Sequence, residues 1–311
     1  MQKSLQTNKK QRVTLGLAHR SFSVDGFTLV ELLVVIAVIA LLMAILLPAL
    51  SKAREQGKRA VCMTQIKQLQ LAWGLYADDY NEKIPCSDIW YSWNPPGGIL
   101  EWGYQRTWCE WPHVWPHAPA PPGVVASGPI MQNEITNPTK DDWFHVIEEG
   151  NIWKYIKNNK IYRCPNGEKD AYVTYAIVHS MNAYPGSFGG GSATRIINRN
   201  QIKHTGERVV FIDKGYIDNG AFGILYNGDA GNGNPETRGF FDPPPIRHGM
   251  GTVLSFVDGH SEYWKWSDPR TREYKYTQPG NPDQTGNQDK YRLQKGVWGK
   301  LGYVPAVTPE Y

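Results

Sequence analysis

The stretch Phe27–Leu50, FTLVELLVVIAVIALLMAILLPAL, constrains this chain more than any other. It holds 24 residues and one charge, Glu31. A helix needs about 20 mostly apolar residues to cross a bilayer, so the stretch is long enough to span. Thr28 lies three residues before Glu31, the spacing of a capping box, so a helix is predicted to start there. A cleaved secretory signal would have an apolar core of about 7–15 residues with a small residue after it. Here the run is longer, and the small residue, Gly26, comes first. A plain anchor fits the length but leaves Glu31 unexplained, because an unpaired carboxylate within a membrane costs a few kcal/mol.

The helical pattern continues past Pro48, where the missing N–H is expected to bend or loosen the helix. Cys62, Ile66, Leu69, Trp73 and Tyr76 recur at helical spacing and form one apolar stripe, with Lys58, Arg59, Lys67, Gln68 and Gln70 off it. Such a stripe reads as packed core. The expected helix therefore runs for about 50 residues, roughly 75 Å. Its first half suits lipid and its second half suits a globular head. Asp78, Asp79 and Asn81 are read as a solvated helix end rather than a cation site.

Charge is concentrated at the amino end. Residues 1–26 carry Lys3, Lys9, Lys10, Arg12 and Arg20 against Asp25, and the remainder holds 28 residues of each sign. A neutral head has no general nucleic-acid footprint, so no nucleic-acid partner is expected. Lys52, Arg54, Lys58 and Arg59 follow the apolar run, so charge counting alone does not orient it.

The rest is rich in Gly, Pro, Trp and Tyr, which favours turns and β structure. Residues 84–140 read as an irregular, Trp- and Pro-rich excursion, pinned by a Cys86–Cys109 disulfide or carrying free thiols. Its tryptophans either stack on sugars or bury against the head. His113 and His117 flank prolines and are not expected to pair on a metal. Residues 143–160 suggest one or two short helices. Arg208–Asp213 (RVVFID) reads as a central strand. Thr252–Val257 and Ser261–Trp266 flank Asp258-Gly259, a strong hairpin signal because the turn needs positive φ. The four cysteines form no CxxC pair, which argues against a zinc ribbon, and they allow three disulfide connectivities. Asn227–Asn234 is the best oxygen-rich loop for a cation, though such loops are usually turns. From Ser267 onward the chain is polar and broken by Gly and Pro, and reads as a loosely ordered tail or a separate extension.

The residues Gly26-Phe27-Thr28-Leu29-Val30-Glu31 closely resemble the processing site of type IV prepilins and type II secretion pseudopilins. The resemblance implies that a prepilin peptidase cuts after Gly26, that Phe27 is then N-methylated, and that Glu31 pairs with a neighbouring subunit's terminal amine. Pro48 falls where this family often bends its helix. Three further features resemble a large pilin-like family common in planctomycetes: the end of the long helix, the Cys164-Pro165 pair, and His248 followed by Asp258-Gly259 (RHGMGTVLSFVDGH). Cys62 and Cys164 occupy family-like positions, which implies a Cys62–Cys164 disulfide. His248, Asp258 and His260 are tempting as a metal or catalytic set. The preferred reading is that Asp258-Gly259 makes the turn while His248 packs or caps nearby, and no metal site is expected. Major pseudopilins often bind calcium near this end, but their ligand loop is not matched here. No cofactor is therefore expected, with calcium left open.

The implied fold is α+β and pilin-like: a long N-terminal helix packed on an antiparallel sheet. The expected divisions are a cytoplasmic leader (1–26), a membrane or filament-core helix (27–50), an amphipathic helix (51–83), a globular head (84–266) and a polar extension (267–311). The expected function is structural: a subunit held in the inner membrane, with its N-terminus cytoplasmic and its head periplasmic. Its partners would be the prepilin peptidase, an inner-membrane assembly platform, membrane lipid and other pilin-like subunits. Its filament would be a type II secretion pseudopilus or a type IV pilus. A tip adhesin that contacts glycans or exported cargo is the alternative. No nucleophile elbow, HExxH or phosphate loop appears, so an enzyme is not expected.

Overall fold

The structure is a computed structural model. It describes residues 27–87, 108–109, 139–182, 194–215, 221–226, 236, 240–274 and 283–310. The chain divides into two compact units at Ser51. The first helix, α1 (Leu29–Asp79, 51 residues), crosses that boundary and stays helical through Pro48.

In the second unit, α1 buries Cys62, Ile66, Leu69, Trp73 and Tyr76, the stripe predicted from the sequence. Gln70, Ala72 and Ala77 widen it. The helix stops where Asn81 and Glu82 enter the left-handed region at φ 52° and 65°. Its end is tied to the head rather than simply solvated. Arg199 meets Asp78 at 2.5 Å and Glu82 at 2.7 Å, and Lys154 meets Asp79 at 3.0 Å. These pairs are solvent-exposed, so each adds little to stability.

Four antiparallel strands follow in spatial order β1 (Tyr175–Ile177), β2 (Val209–Asp213), β3 (Gly251–Phe256) and β4 (Ser261–Lys265). β2 lies inside the sheet, as RVVFID suggested, and is buried throughout. The β3–β4 hairpin turns at Asp258-Gly259, with Gly259 at φ 95°. Two short helices, α2 (Lys140–Glu149) and α3 (Trp153–Ile156), precede the sheet. Thr139 and Asp142 form a capping box at the start of α2.

Alternation along the strands assigns the two faces. Ser255 and Ser261 are cross-strand partners, and both reach α1: Ser255 donates to Gln70 Oε1 at 3.1 Å and Ser261 to Met63 O at 3.3 Å. Trp264 has the opposite parity and lies on the other face, under the guanidinium of Arg292 at 3.8 Å. Arg292 belongs to a helix in the last quarter of the chain. The sheet is thus sandwiched between α1 and a C-terminal helix.

That helix corrects the expectation of a loosely ordered tail. After a short helix α4 (Pro269–Glu273), the chain forms α5 (Gln288–Trp298). Asn287 caps its start and Gly299, at φ 80°, closes its end. Tyr291, Leu293, Val297 and Trp298 are buried together with Lys290 and Gln294. The polar members are matched: Lys290 Nζ donates to Glu236 O at 2.8 Å and Gln294 Nε2 to Leu225 O at 2.8 Å. Gly296 gives the close approach, because a Cβ there would lie 2.9 Å from Val209 Cγ2.

Candidate functional site

Two sets of residues stand out, one in each unit. The first is the start of α1. The Thr28 N–H and hydroxyl both donate to Glu31 Oε2 at 2.8 Å, and the Glu31 N–H donates to Thr28 Oγ1 at 3.2 Å. The predicted capping box is therefore formed. Both bonds to the carboxylate fall on Oε2, and Oε1 takes part in neither. Phe27 is 72% exposed, and every residue from Phe27 to Leu50 is exposed in this single chain. Gly26, the expected cut site, lies outside the described residues. So do most of the Trp-rich excursion, His113, His117 and the Asn227–Asn234 loop. Among the described residues one helix, α1, holds a stretch long and apolar enough to cross a membrane.

The family model for the prokaryotic N-terminal methylation motif matches residues 23–47. A methylation motif, a long apolar helix and a C-terminal antiparallel sheet together fit a pilin-like protein processed by a prepilin peptidase. No curated protein and no solved structure matches this chain.

The second set lies in the pilin-like head, where four segments converge. Cys62 comes from α1, Cys164 from the turn after a 3₁₀ helix at Asn159–Tyr162, Asp213 from the end of β2, and His248 from the turn before β3. All four are buried, and one ligand atom from each lies within 4.8 Å of the other three. The Cys62 thiol contacts Asp213 Oδ2 at 3.1 Å. Cys164 Sγ lies 3.1 Å from His248 Nε2, which lies 3.3 Å from Asp213 Oδ2. Around them, the Tyr175 hydroxyl donates to Cys62 Sγ at 3.2 Å and the Asn166 N–H to Cys164 Sγ at 3.4 Å. His248 Nδ1 meets Glu55 Oε1 at 3.1 Å, and Asn166 Nδ2 donates to the same oxygen at 2.6 Å.

The backbone that delivers His248 is strained. His248, Gly249 and Met250 take φ of 49°, 84° and 75° in succession. The turn is closed by reciprocal bonds between Arg247 and Gly251 at 2.6 and 2.9 Å. Three consecutive left-handed residues, two of them not glycine, persist only where the surroundings over-determine them.

The electrostatics follow from this crowding. Burial pushes the Cys62 thiol well above its usual range, and the Cys164 and Asp213 groups reinforce the rise. The hydrogen bond from Cys62, then the contact with His248, draws Cys164 down against burial. Burial opposes charge on His248, but hydrogen bonds to Asp213 and Cys164 outweigh it and hold the imidazole up at about 9.

These positions correct one expectation, the Cys62–Cys164 disulfide that the resemblance implied. No disulfide joins Cys62 to Cys164 or Cys86 to Cys109. The implied partners are nonetheless neighbours. Cys62 and Cys164 share the cluster just described, where Asp213, Tyr175 and His248 take up their sulfurs. Cys86 accepts a backbone bond from Trp108, the residue before Cys109, at 3.2 Å. Asp258 and His260 form an exposed pair within the hairpin turn at 2.5 Å, as the turn reading required. His248 joins neither of them. Its carboxylate partners are Asp213 and Glu55, from distant parts of the chain.

Proposed function

We propose that this pilin-like chain is a structural filament subunit rather than an enzyme. It is inserted in the inner membrane with its N-terminus cytoplasmic and its head periplasmic, cut after Gly26, and methylated at Phe27. An assembly platform then moves it with other pilin-like subunits into a type II secretion pseudopilus or a type IV pilus-like fibre. One observation carries this reading: the methylation motif at residues 23–47 coincides with a helix whose apolar half has every residue exposed in the single chain. Such a surface suits lipid first and neighbouring helices later. Glu31 would then accept a neighbour's protonated amine on Oε1, which repays part of the cost of placing the acid among apolar groups. The adhesin alternative rests on the Trp-rich sequence of residues 84–140 alone.

Mass spectrometry of the mature amino terminus tests the processing step. N-methylated Phe27 is the expected end, and Gly26→Ala is expected to leave the precursor uncut. An intact leader in cells that hold an active prepilin peptidase would overturn the reading. Recovery of the chain from sheared filaments then separates a repeating subunit from a rare tip protein.

A further inference from the structure

We propose that Cys62, Cys164, Asp213 and His248 form a closed structural zinc site that fastens α1 to the sheet of the head. This inference is independent of the filament assignment.

The donor set selects the metal. Two thiolates, an imidazole and a carboxylate are the ligands of tetrahedral Zn²⁺, whereas calcium and magnesium take oxygen. The calcium left open by the sequence is therefore not the ion for this cluster. The dimensions agree. With metal–ligand distances of about 2.0–2.3 Å, a tetrahedron has donor–donor edges of about 3.3–3.8 Å. The recorded edges of 3.1 Å (Cys62 to Asp213), 3.1 Å (Cys164 to His248) and 3.3 Å (His248 to Asp213) need only a small expansion. No edge exceeds 4.8 Å.

The surroundings are those of a ligand shell. A metal-bound imidazole usually passes its other nitrogen to a carboxylate, which fixes the ring and raises its basicity. Here His248 presents Nε2 to the cluster, and its Nδ1 meets Glu55. The Asn166 N–H points at Cys164 Sγ, and the Tyr175 hydroxyl, whose proton is shared with Gln65 Oε1 at 2.9 Å, lies 3.2 Å from Cys62 Sγ, so donors face both sulfurs. Asp213 is fully buried, yet its Oδ1 has no hydrogen-bond partner among the described residues. A cluster of thiols, a carboxylate and an imidazole thus carries more acceptor capacity than its neighbours satisfy, and a cation supplies what is missing. The strained His248-Gly249-Met250 turn then has a purpose, since it aims one imidazole at three ligands from other segments. With four protein ligands no position stays open for water, so the site is structural rather than catalytic.

The test uses the full-length protein in detergent, purified without chelator and under reducing conditions. Elemental analysis is expected to find one zinc per chain. After exchange, Co²⁺ is expected to give the visible ligand-field bands of a tetrahedral site together with a thiolate charge-transfer band. His248→Ala and Cys164→Ser are expected to abolish both, and Cys86→Ser to leave both intact. Because the wild-type cobalt spectrum reports the ligands directly, a variant that fails to fold does not decide the matter. The proposal fails if the reduced wild-type protein takes up neither Zn²⁺ nor Co²⁺, or if the cobalt spectrum lacks thiolate charge transfer. It also fails if peptide mapping of protein from its native compartment shows a Cys62–Cys164 disulfide.

Discussion

The two halves of α1 are one continuous helix with opposite fates. From Leu29 to Leu50 every residue is exposed, while from Cys62 to Ala77 an apolar stripe is buried against the head. The difference lies in how the apolar residues are distributed. The first half is apolar all round, so no single face of one globular head could cover it. The second gathers most of its large apolar groups on one side, with Val61, Leu71 and Leu75 left exposed, and that side finds its partner within the same chain. A helix of uniform composition would serve one environment; this one is written for two.

That contrast can be broken most sharply at Trp73, which is 0% exposed. Trp73→Ala is expected to cost about 3–5 kcal/mol in chemical denaturation of the head. Trp73→Phe should cost much less, because the indole N–H is buried without a partner among the described residues. In the other half, Leu42→Arg places a charge in the apolar run. It is expected to cost about 2.5–3.5 kcal/mol of membrane insertion, read as loss from the carbonate-resistant membrane fraction, and to leave the head's unfolding curve unchanged.

Acid should also separate the two halves, through His179. Burial, with Arg195 nearby, lowers its pKa from 6.5 to about 3 in the folded head. Between those values the unfolded chain binds the extra proton, so stability rises with pH across that window and is lost as pH falls through it. The expected loss is about 1.4 kcal/mol per pH unit, measured as the denaturation midpoint at pH 6.5 and pH 4. His179→Gln should flatten that difference. Smaller again is Gly296→Leu, which drives a side chain toward Val209 and Trp264 and is expected to cost about 1–3 kcal/mol by overpacking. The smallest effect belongs to Leu71, which is 64% exposed beside the buried stripe. Leu71→Ala is expected to change head stability by less than about 0.5 kcal/mol, measured in the same assay.

What could be read from the sequence was local. The capping box, the stripe from Cys62 to Tyr76, the β2 run and the Asp258-Gly259 turn each carry their signal within a few residues. Helix α5 was missed because its buried face is partly polar. Lys290 and Gln294 look like solvent residues until their partners, Glu236 and Leu225, are brought to them. The buried cluster was missed for a different reason. Its members are far apart in the chain, with Cys62 and Asp213 separated by 151 positions, so no spacing could join them. The family resemblance did bring Cys62 and Cys164 together. Asp213, hidden at the end of an apolar strand, had no such signal, and the nearby Asp258 was the natural but wrong partner to consider for His248.

The place of α5 in the chain also bears on the order in which the head can form. Synthesis runs from the amino end, so β2 leaves the ribosome some 80 residues before the helix that covers one face of it. Until Gly296 and Val297 emerge, Val209 and Trp264 lack their cover, and Arg208 lacks the Val297 carbonyl it donates to at 2.9 Å. Folding of this head is completed only with α5, and a nascent chain stalled short of it would show an unfinished sheet to the quality-control machinery of the cell.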